Sequence, residues 1–455
     1  MIADKDAGLG SRILWLTAVA VILLGVGALL SSATAAWAGT LIALACHVPV
    51  LFGAWCIVGR LTNRRPDQQT PVVALVLTGQ VYLISLMALG LVLGNLGSLN
   101  RPMALIWAGV LGLAMMWHGR AFAVPPCDRI GSSLLENGVR SIFLTSPAFA
   151  CLCAMIEPIY SYDTLTYHLF FPARWVQDGA ISIVPTWFGD PAPAYAPSAT
   201  EVYYTWLMLP LGGDLLARCG QFPFWLLLIC AVYAMACELR LRPVARACVA
   251  LIVGAIPAVL AQAFTAMADL ALAAHLVALA LFSLRLERRR TIADLIGLAL
   301  SACLLLGTKF IAVAYLVGVL PVVAWAVWQA CRLGLRRLAT PTPNRRLVVV
   351  AFLLAGLWSG GFWYARNWIK TGNPIYPLGV KVGGREIFAG AYGREQMENS
   401  AFDVHRRTDP DVFGQTIWET LHWPDAPFPA PDETGRIPAF RYWCCGPAGL
   451  IAALF

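Results

Sequence analysis

The chain has 455 residues, of which 59% are hydrophobic and only 13% are charged, about half the charged share of an average soluble domain. The formal net charge is +8, but the basic residues lie in short stretches between apolar runs, where they orient a membrane protein. The composition therefore excludes an ordinary soluble domain, gives no reason to expect a nucleic-acid partner, and indicates a polytopic membrane protein. The sequence also lacks the short segments of alternating polarity that a transmembrane barrel needs.

Apolar runs that approach the roughly 20 residues needed to cross a membrane as a helix recur along the chain. Before a polar stretch near residue 160 they cover about 13–30, 38–58, 71–93, 103–118 and 141–157. After it they cover about 216–238, 247–265, 268–285, 293–306, 310–331 and 347–365. We therefore predict an all-α polytopic membrane protein with about 11 transmembrane helices plus a partial last one. The first run is also compatible with a signal peptide, but its length favours a retained span.

The loops between these runs alternate between strongly and weakly basic, which places the N-terminus in the cytoplasm. The resulting organisation has N-terminal helices over 1–157, an extracytoplasmic catalytic loop with an interfacial helix over 158–215, and a transmembrane core over 216–365. A second extracytoplasmic loop or small lobe covers 366–446, and 447–455 begins a truncated helix. All polar clusters then face one compartment.

The polar stretch at 157–174 reads EPIYSYDTLTYHLFFPAR and places charge among aromatic residues between two apolar runs. A carboxylate at such a boundary is partly desolvated, which raises its pKa and makes Asp163 a candidate general base. If the stretch is helical, Asp163 and Tyr167 share a face, and His168 lies one turn from Thr164. Glu157 is a supporting candidate. The alternative is that these residues only anchor the chain at the membrane interface.

The next segment contains four prolines before Tyr203, which favours an extended loop. A short amphipathic helix over 201–211 is then expected to lie in the membrane interface. Its side chains Tyr203, Tyr204 and Trp206 would lie at headgroup depth.

Two charged residues lie at the ends of later apolar runs, on the same predicted side of the membrane. Asp269 is either a site residue or a helix N-cap, because a carboxylate in a membrane normally needs a partner. Lys309 is either a helix anchor or a ligand for an anion, and a lipid-linked phosphate is the natural candidate. His275, deeper in the span that Asp269 begins, is expected to form an interhelical hydrogen bond.

The segment after the last complete run, FWYARNWIKTGNPIYPLG at 362–379, interleaves aromatic and basic residues. An aromatic belt with basic anchors is the ordinary interpretation of such a segment. However, Arg366 and Lys370 lie on the side that should be poor in cations, which favours contact with an anion. Asn367 follows Arg366 directly and is a further candidate contact.

Five segments resemble, in the same order, bacterial membrane glycosyltransferases of the GT-C superfamily, including the aminoarabinose-transferase and protein O-mannosyltransferase-like group. They are YDTLTYHLFFPARW, AYAPSATEVYYTWLMLPLGGDLLAR, MADLALAAHLVALAL, GTKFIAVAYL and FWYARNWIKTGNPIYPLG, within about 155–380. The resemblance implies transfer of a sugar, usually with inversion, from a polyprenyl-phosphate donor to a cell-envelope acceptor. It also implies a multi-pass protein of the bacterial inner membrane whose active site faces the periplasm.

The resemblance further implies that the acidic residue of the first large external loop, here Asp163, is a base or a metal ligand. Glu201 is implied as a metal or acceptor contact, so a divalent metal ion held by Asp163 and Glu201 is a candidate cofactor. The expected site thus has Asp163 as the catalytic residue. Its substrate-binding residues are expected to be Tyr167, His168, Glu201, Asp269, Lys309, Arg366 and Asn367.

Two other functions remain open at this point. A transporter or flippase for a lipid-linked or anionic substrate would also be a polytopic membrane protein, although internal repeats typical of transporters are not evident. A non-catalytic scaffold in which Asp163 merely caps a helix is the second alternative.

Overall fold

A computed structural model describes residues 34–62, 71–119, 159, 161–335 and 343–392. The predicted spans at 13–30 and 141–157, Glu157, most of the 366–446 lobe and the run from Pro447 lie outside the described residues. Nearly all regular structure in the described part is helical.

Three long helices come first: α1 (Thr34–Thr62), α2 (Pro71–Asn95) and α3 (Arg101–His118). A π-helical turn (Thr164–His168) then leads into α4 (Phe170–Asp178), α5 (Ala192–Tyr195) and α6 (Ala199–Met208). After a 3-10 turn (Ala217–Cys219), the chain forms α7 (Phe222–Glu238), α8 (Pro243–Ala255), α9 (Pro257–Ala263) and α10 (Asp269–Arg289). The last helices are α11 (Ile292–Thr308), α12 (Ile311–Leu333) and α13 (Pro343–Thr371), followed by strands β1 (Val380–Val382) and β2 (Arg385–Phe388).

The membrane character predicted from the sequence is confirmed. Six of the described helices are long and apolar enough to cross a membrane, and a seventh span results if α8 and α9, which meet at 68°, count as one. Each predicted run within the described residues falls on a helix, and α11 is a shorter apolar helix. The total of eleven spans stays a prediction.

The helices approach one another closely where small residues line their contacts. Gly112 of α3 lies against Pro49 of α1, where an added Cβ would be 2.6 Å from the Pro49 Cβ. Small residues allow such close packing between membrane helices. Helix α10 packs against α7, α11 and α12, and α2 contacts α6, α7 and α13. By contrast α12 is mostly exposed, which suits a lipid-facing helix.

The predicted short helix is present as α6 and its place in the membrane interface stays a prediction, but its aromatic side chains do not lie at a surface. Tyr203, Tyr204 and Trp206 are all buried by protein and do not face a surface. The Trp206 indole donates a hydrogen bond to the Leu86 carbonyl of α2 at 2.8 Å. Gly90 makes room for this ring, because a Cβ there would lie 2.8 Å from the indole nitrogen. Amphipathic aromatic residues suit a protein groove as well as a headgroup layer, and here they pack against protein.

The all-α prediction also needs one correction. Strands β1 and β2 form a small antiparallel hairpin after α13. Gly383 and Gly384 form its turn, and both have positive φ angles that glycine adopts readily.

A buried ionic network joins the ends of α7, α10 and α11, and the sequence reasoning missed it. Arg285 is fully buried and bonds Glu238, and its Nε lies 2.7 Å from Asp294 Oδ1. Thr291 donates to the second Asp294 oxygen at 2.6 Å, and Arg289 lies 3.0 Å from Glu238. This network lies at the end of α10 opposite Asp269.

Candidate functional site

The turn that carries Asp163 is a π-helix, a form common at functional sites. The Leu169 N–H donates to the Thr164 carbonyl at 2.9 Å, which closes the wide turn. Asp163 occupies the N-cap position of this turn, but its side chain makes no capping bond there. Its carboxylate instead lies close enough to the Tyr167 hydroxyl to raise the pKa of that group. This proximity fits the predicted shared face of Asp163 and Tyr167.

Burial and three carboxylates raise the pKa of the Tyr167 hydroxyl. The pKa of Tyr167 is raised above its usual value, first by burial, then by the adjacent Asp163, and further by Glu201 and Asp269. Tyr204 responds in the same way, since burial raises its pKa most and Glu201 and Asp269 contribute. Asp163, Glu201 and Asp269, predicted from separate segments, thus belong to one acidic region.

His168 and Glu201 form the most buried polar contact of this region. His168 Nδ1 lies 2.5 Å from Glu201 Oε1, and both side chains are buried. Their other polar atoms, His168 Nε2 and Glu201 Oε2, have no hydrogen-bond partner among the described residues. The buried hydroxyls of Thr164 and Thr200 likewise have no hydrogen-bond partner among the described residues. Two predicted substrate-binding residues are therefore paired with each other, across the contact between the π-turn and α6.

Asp269 and Lys309 form a second pair. Lys309 Nζ lies 2.7 Å from Asp269 Oδ1, where the start of α10 meets the end of α11. Ala268 occupies the N-cap position of α10, so Asp269 is not the N-cap that the alternative interpretation proposed. Lys309 thus has a carboxylate partner within the chain, and its contact with a lipid-linked phosphate stays a prediction.

The interhelical hydrogen bond predicted for His275 is absent from the described part of the chain. The ring is fully buried and stands edge-on to Phe224, with ring centroids 5.7 Å apart. Neither ring nitrogen has a hydrogen-bond partner there. Packing against an aromatic ring therefore replaces the expected bond.

Arg366 and Asn367 form a separate group on α13. Asn367 donates to the Tyr195 carbonyl at 2.8 Å, and Arg366 donates to the Ala194 carbonyl at 3.3 Å. The Arg366 guanidinium also lies 5.0 Å from the centre of the Trp363 ring. No described hydrogen bond or ion pair joins these residues to Asp163.

Aromatic rings connect the two groups. Trp363 stacks on Trp175 at 6.4 Å between centroids, and Trp175 lies 6.3 Å from Phe171. Phe171 in turn lies 6.5 Å from Tyr167, the partner of Asp163. The acidic region and Arg366 are thus the two ends of one packed aromatic row.

A groove of about 1070 Å³ lies beside Arg366. One wall is a stripe along α13 whose apolar members lie at helical spacing: Leu354, Leu357, Trp358, Gly361, Phe362, Ala365 and Ile369. The other wall includes Ile181, which is fixed by a bond from its N–H to the Gly94 carbonyl at 3.1 Å. Arg366 and Lys370 line the same groove near the C-terminal end of the stripe. The sequence contained this signal, an apolar face ending in two cations four residues apart, but the groove itself was not predicted.

Hydrogen bonds and a ring contact join two loops next to this groove. The Tyr392 hydroxyl donates to Asp190, and the same Asp190 oxygen accepts from the Ala192 N–H at 2.7 Å. The rings of Tyr195 and Tyr376 meet edge to face, with centroids 4.6 Å apart. Sequence reasoning did not single out these contacts, because they join residues far apart in the chain.

The predicted metal role of Asp163 and Glu201 finds no supporting donor set. Among the described residues, no three His, Cys, Asp or Glu side chains are placed together to hold a metal ion. One Glu201 oxygen is bonded to His168, and Asp163 lies close to the Tyr167 hydroxyl. The metal role of these two carboxylates stays a prediction.

Comparison with known proteins gives no family to assign. No family model matches the chain, and no curated protein or solved structure is significantly similar to it. The function must therefore be argued from the site.

Proposed function

We propose that this protein is an integral membrane glycosyltransferase of the GT-C type that uses a polyprenyl-phosphate-linked sugar. The observation that carries the proposal is the groove along α13, which combines a long apolar wall with two cations. From Leu354 to Lys370 the helix rises about 24 Å, a length that suits an extended isoprenoid chain. A lipid phosphate would sit where Arg366 and Lys370 supply positive charge.

Asp163 is the proposed base. It would accept the proton of the acceptor hydroxyl while the hydroxyl oxygen bonds to the anomeric carbon of the sugar. The bond from that carbon to the phosphate oxygen breaks, and the polyprenyl phosphate leaves with the electron pair. A phosphate leaving group needs charge stabilisation more than protonation, so a single carboxylate suffices for an inverting transfer.

Tyr167 would orient the base. Its hydroxyl lies next to the Asp163 carboxylate and would donate a hydrogen bond to it, which leaves the remaining carboxylate lone pairs for the acceptor. Transfer requires the sugar to reach from Arg366 toward Asp163, and the aromatic row joins these two places. His168, Glu201, Asp269 and Lys309 would line the sugar or acceptor side, and Asn367 would hold the α5 backbone beside the phosphate.

The proposed setting is the bacterial inner membrane, with about 11 spans, a partial last one, and the catalytic loop on the periplasmic side. The alternation of basic loops in the sequence supports this orientation. The acceptor would be a lipid, glycan or protein of the cell envelope.

A transporter or flippase for the same lipid-linked anion is the second candidate, because the groove would suit that cargo too. The acidic region, in which Asp163 lies next to Tyr167, favours chemistry over passage. Purified full-length protein in proteoliposomes, supplied with polyprenyl-phosphate-sugar and envelope acceptors, separates the two. Sugar transfer supports the glycosyltransferase, whereas movement of intact donor between leaflets without transfer supports the flippase.

A further inference from the structure

A cluster of arginines lies at the C-terminal ends of α7 and α10, at the end of α10 opposite Asp269. We propose that this cluster binds the phosphate group of an anionic phospholipid. The inference is independent of the proposed transfer reaction, because these arginines do not line the groove and no described hydrogen bond or ion pair joins them to the acidic region.

The ionic network holds the two helix ends together. Glu238 of α7 bonds both Arg285 and Arg289 of α10, and Arg288 donates to the Glu238 carbonyl. The second buried carboxylate, Asp294, is occupied by Arg285 and Thr291. The carboxylates inside the network are thus fully used by groups of the network.

The segments around the ionic network carry more cations than carboxylates. Arg240 and Arg242 follow α7, and Arg288 and Arg290 end α10. None of these four arginines has a carboxylate partner among the described residues, and the one other acidic side chain of the two segments is the exposed Glu287. The Arg290 Nε is buried without an acceptor in that part of the chain, as is the Arg285 Nη2. Buried guanidinium donors without acceptors point to a missing anion.

Two of these arginines have a left-handed backbone conformation. Arg240 (φ 60°) and Arg290 (φ 56°) are the two non-glycine residues with positive φ that the described part of the chain contains. Each closes its helix where glycine is the usual residue: Leu241 N–H bonds the Ala236 carbonyl, and Arg290 N–H bonds the Leu286 carbonyl. A left-handed arginine costs free energy relative to glycine. A use for the guanidinium groups explains why arginine is present at both positions.

The surroundings favour a lipid over a free phosphate ion. Leu239 is 50% exposed and Val244 is 75% exposed, and both lie beside Arg240 and Arg242. Helices α7 and α10 are among the candidate membrane spans, so their ends lie where headgroups are found. Clusters of basic residues between span ends are typical of anionic-lipid recognition.

Glycine substitution provides the sharpest test, because glycine fits both left-handed positions. Full-length protein in detergent would be titrated with phosphatidylglycerol or phosphatidylcholine, and bound lipid counted by native mass spectrometry. Wild type should prefer phosphatidylglycerol, and Arg240→Gly with Arg290→Gly should weaken its binding roughly thirtyfold. The unfolding temperature of this variant should not fall, so lost binding would not reflect lost folding.

Two control variants complete the experiment. Arg240→Lys with Arg290→Lys keeps both charges and should retain most of the binding. Lys381→Gln with Arg385→Gln removes two charges from the exposed hairpin and should leave binding unchanged. Unchanged phosphatidylglycerol binding in the glycine variant would overturn the proposal. Displacement of the lipid by millimolar inorganic phosphate would also overturn it, in favour of a simple anion site.

Discussion

The Lys309 ammonium group lies 2.7 Å from Asp269 Oδ1 and ties the end of α11 to the start of α10. Its charge is therefore matched inside the chain, whereas Arg366 and Lys370 have no carboxylate partner in the part that the structure describes. Both of these cations line the groove. In the proposed function, the lipid phosphate therefore lies at the end of α13 and not at Lys309.

Substitutions at these cations should show whether the donor phosphate binds at Lys309 or at the end of α13. Lys370→Gln and Arg366→Gln should each raise the KM for a polyprenyl-phosphate donor about tenfold or more, since each removes a charged contact to phosphate. Lys309→Gln should change this KM less than about threefold. An equal effect of Lys309→Gln and Lys370→Gln would contradict the placement of the phosphate.

Filling the groove should block the lipid. Gly361 lines it, and an added Cβ there would meet no atom within 4 Å, so Gly361→Leu occupies the groove without a backbone clash. The expected result is loss of donor binding in a lipid-binding assay. Gly318→Leu on α12 is the matched control, because its Cβ also meets open space. Wild-type donor binding by Gly361→Leu would exclude the groove as the lipid site.

The buried ionic network should contribute strongly to stability. Asp294→Asn leaves the fully buried Arg285 with one carboxylate partner fewer, and it should lower the free energy of unfolding by about 3–5 kcal/mol. Asp214→Asn breaks the partly exposed pair with Arg218, 3.1 Å apart, and should cost about 1 kcal/mol or less. Denaturant titration of the purified protein measures both. Similar costs for the two variants would show that the network is not a specific stabilising element.

Tyr167 should make the protein less stable at alkaline pH. Its pKa in the folded protein is raised by burial and by Asp163, whereas the unfolded value is about 10. The stabilisation from the neutral phenol is therefore complete below about pH 10 and is lost as the pH rises further. Tyr167→Phe should flatten this alkaline decline in unfolding temperature. Tyr162→Phe, at an exposed position, should leave it unchanged, and an identical decline in both variants would contradict the assignment.

Local patterns predicted much of what the structure contains. The apolar runs located the helices because hydrophobic length is a property of the sequence alone. The shared face of Asp163 and Tyr167 followed from helical spacing. The sequence alone could not predict contacts between distant segments. His168 and Glu201 are 33 positions apart in the chain, and Lys309 and Asp269 are 40 positions apart. The burial of Trp206 depends on Gly90 of another helix.

The measurement that tests the central claim most directly is sugar transfer by Asp163→Asn. Full-length wild type and variant would be supplied with the same polyprenyl-phosphate-sugar and envelope acceptor. Asp178→Asn, on the exposed end of α4, serves as the control. If Asp163 is the base, the variant should bind the donor normally but transfer sugar about 100-fold more slowly or worse, while the control keeps wild-type transfer. Undiminished transfer by Asp163→Asn would contradict the proposed mechanism.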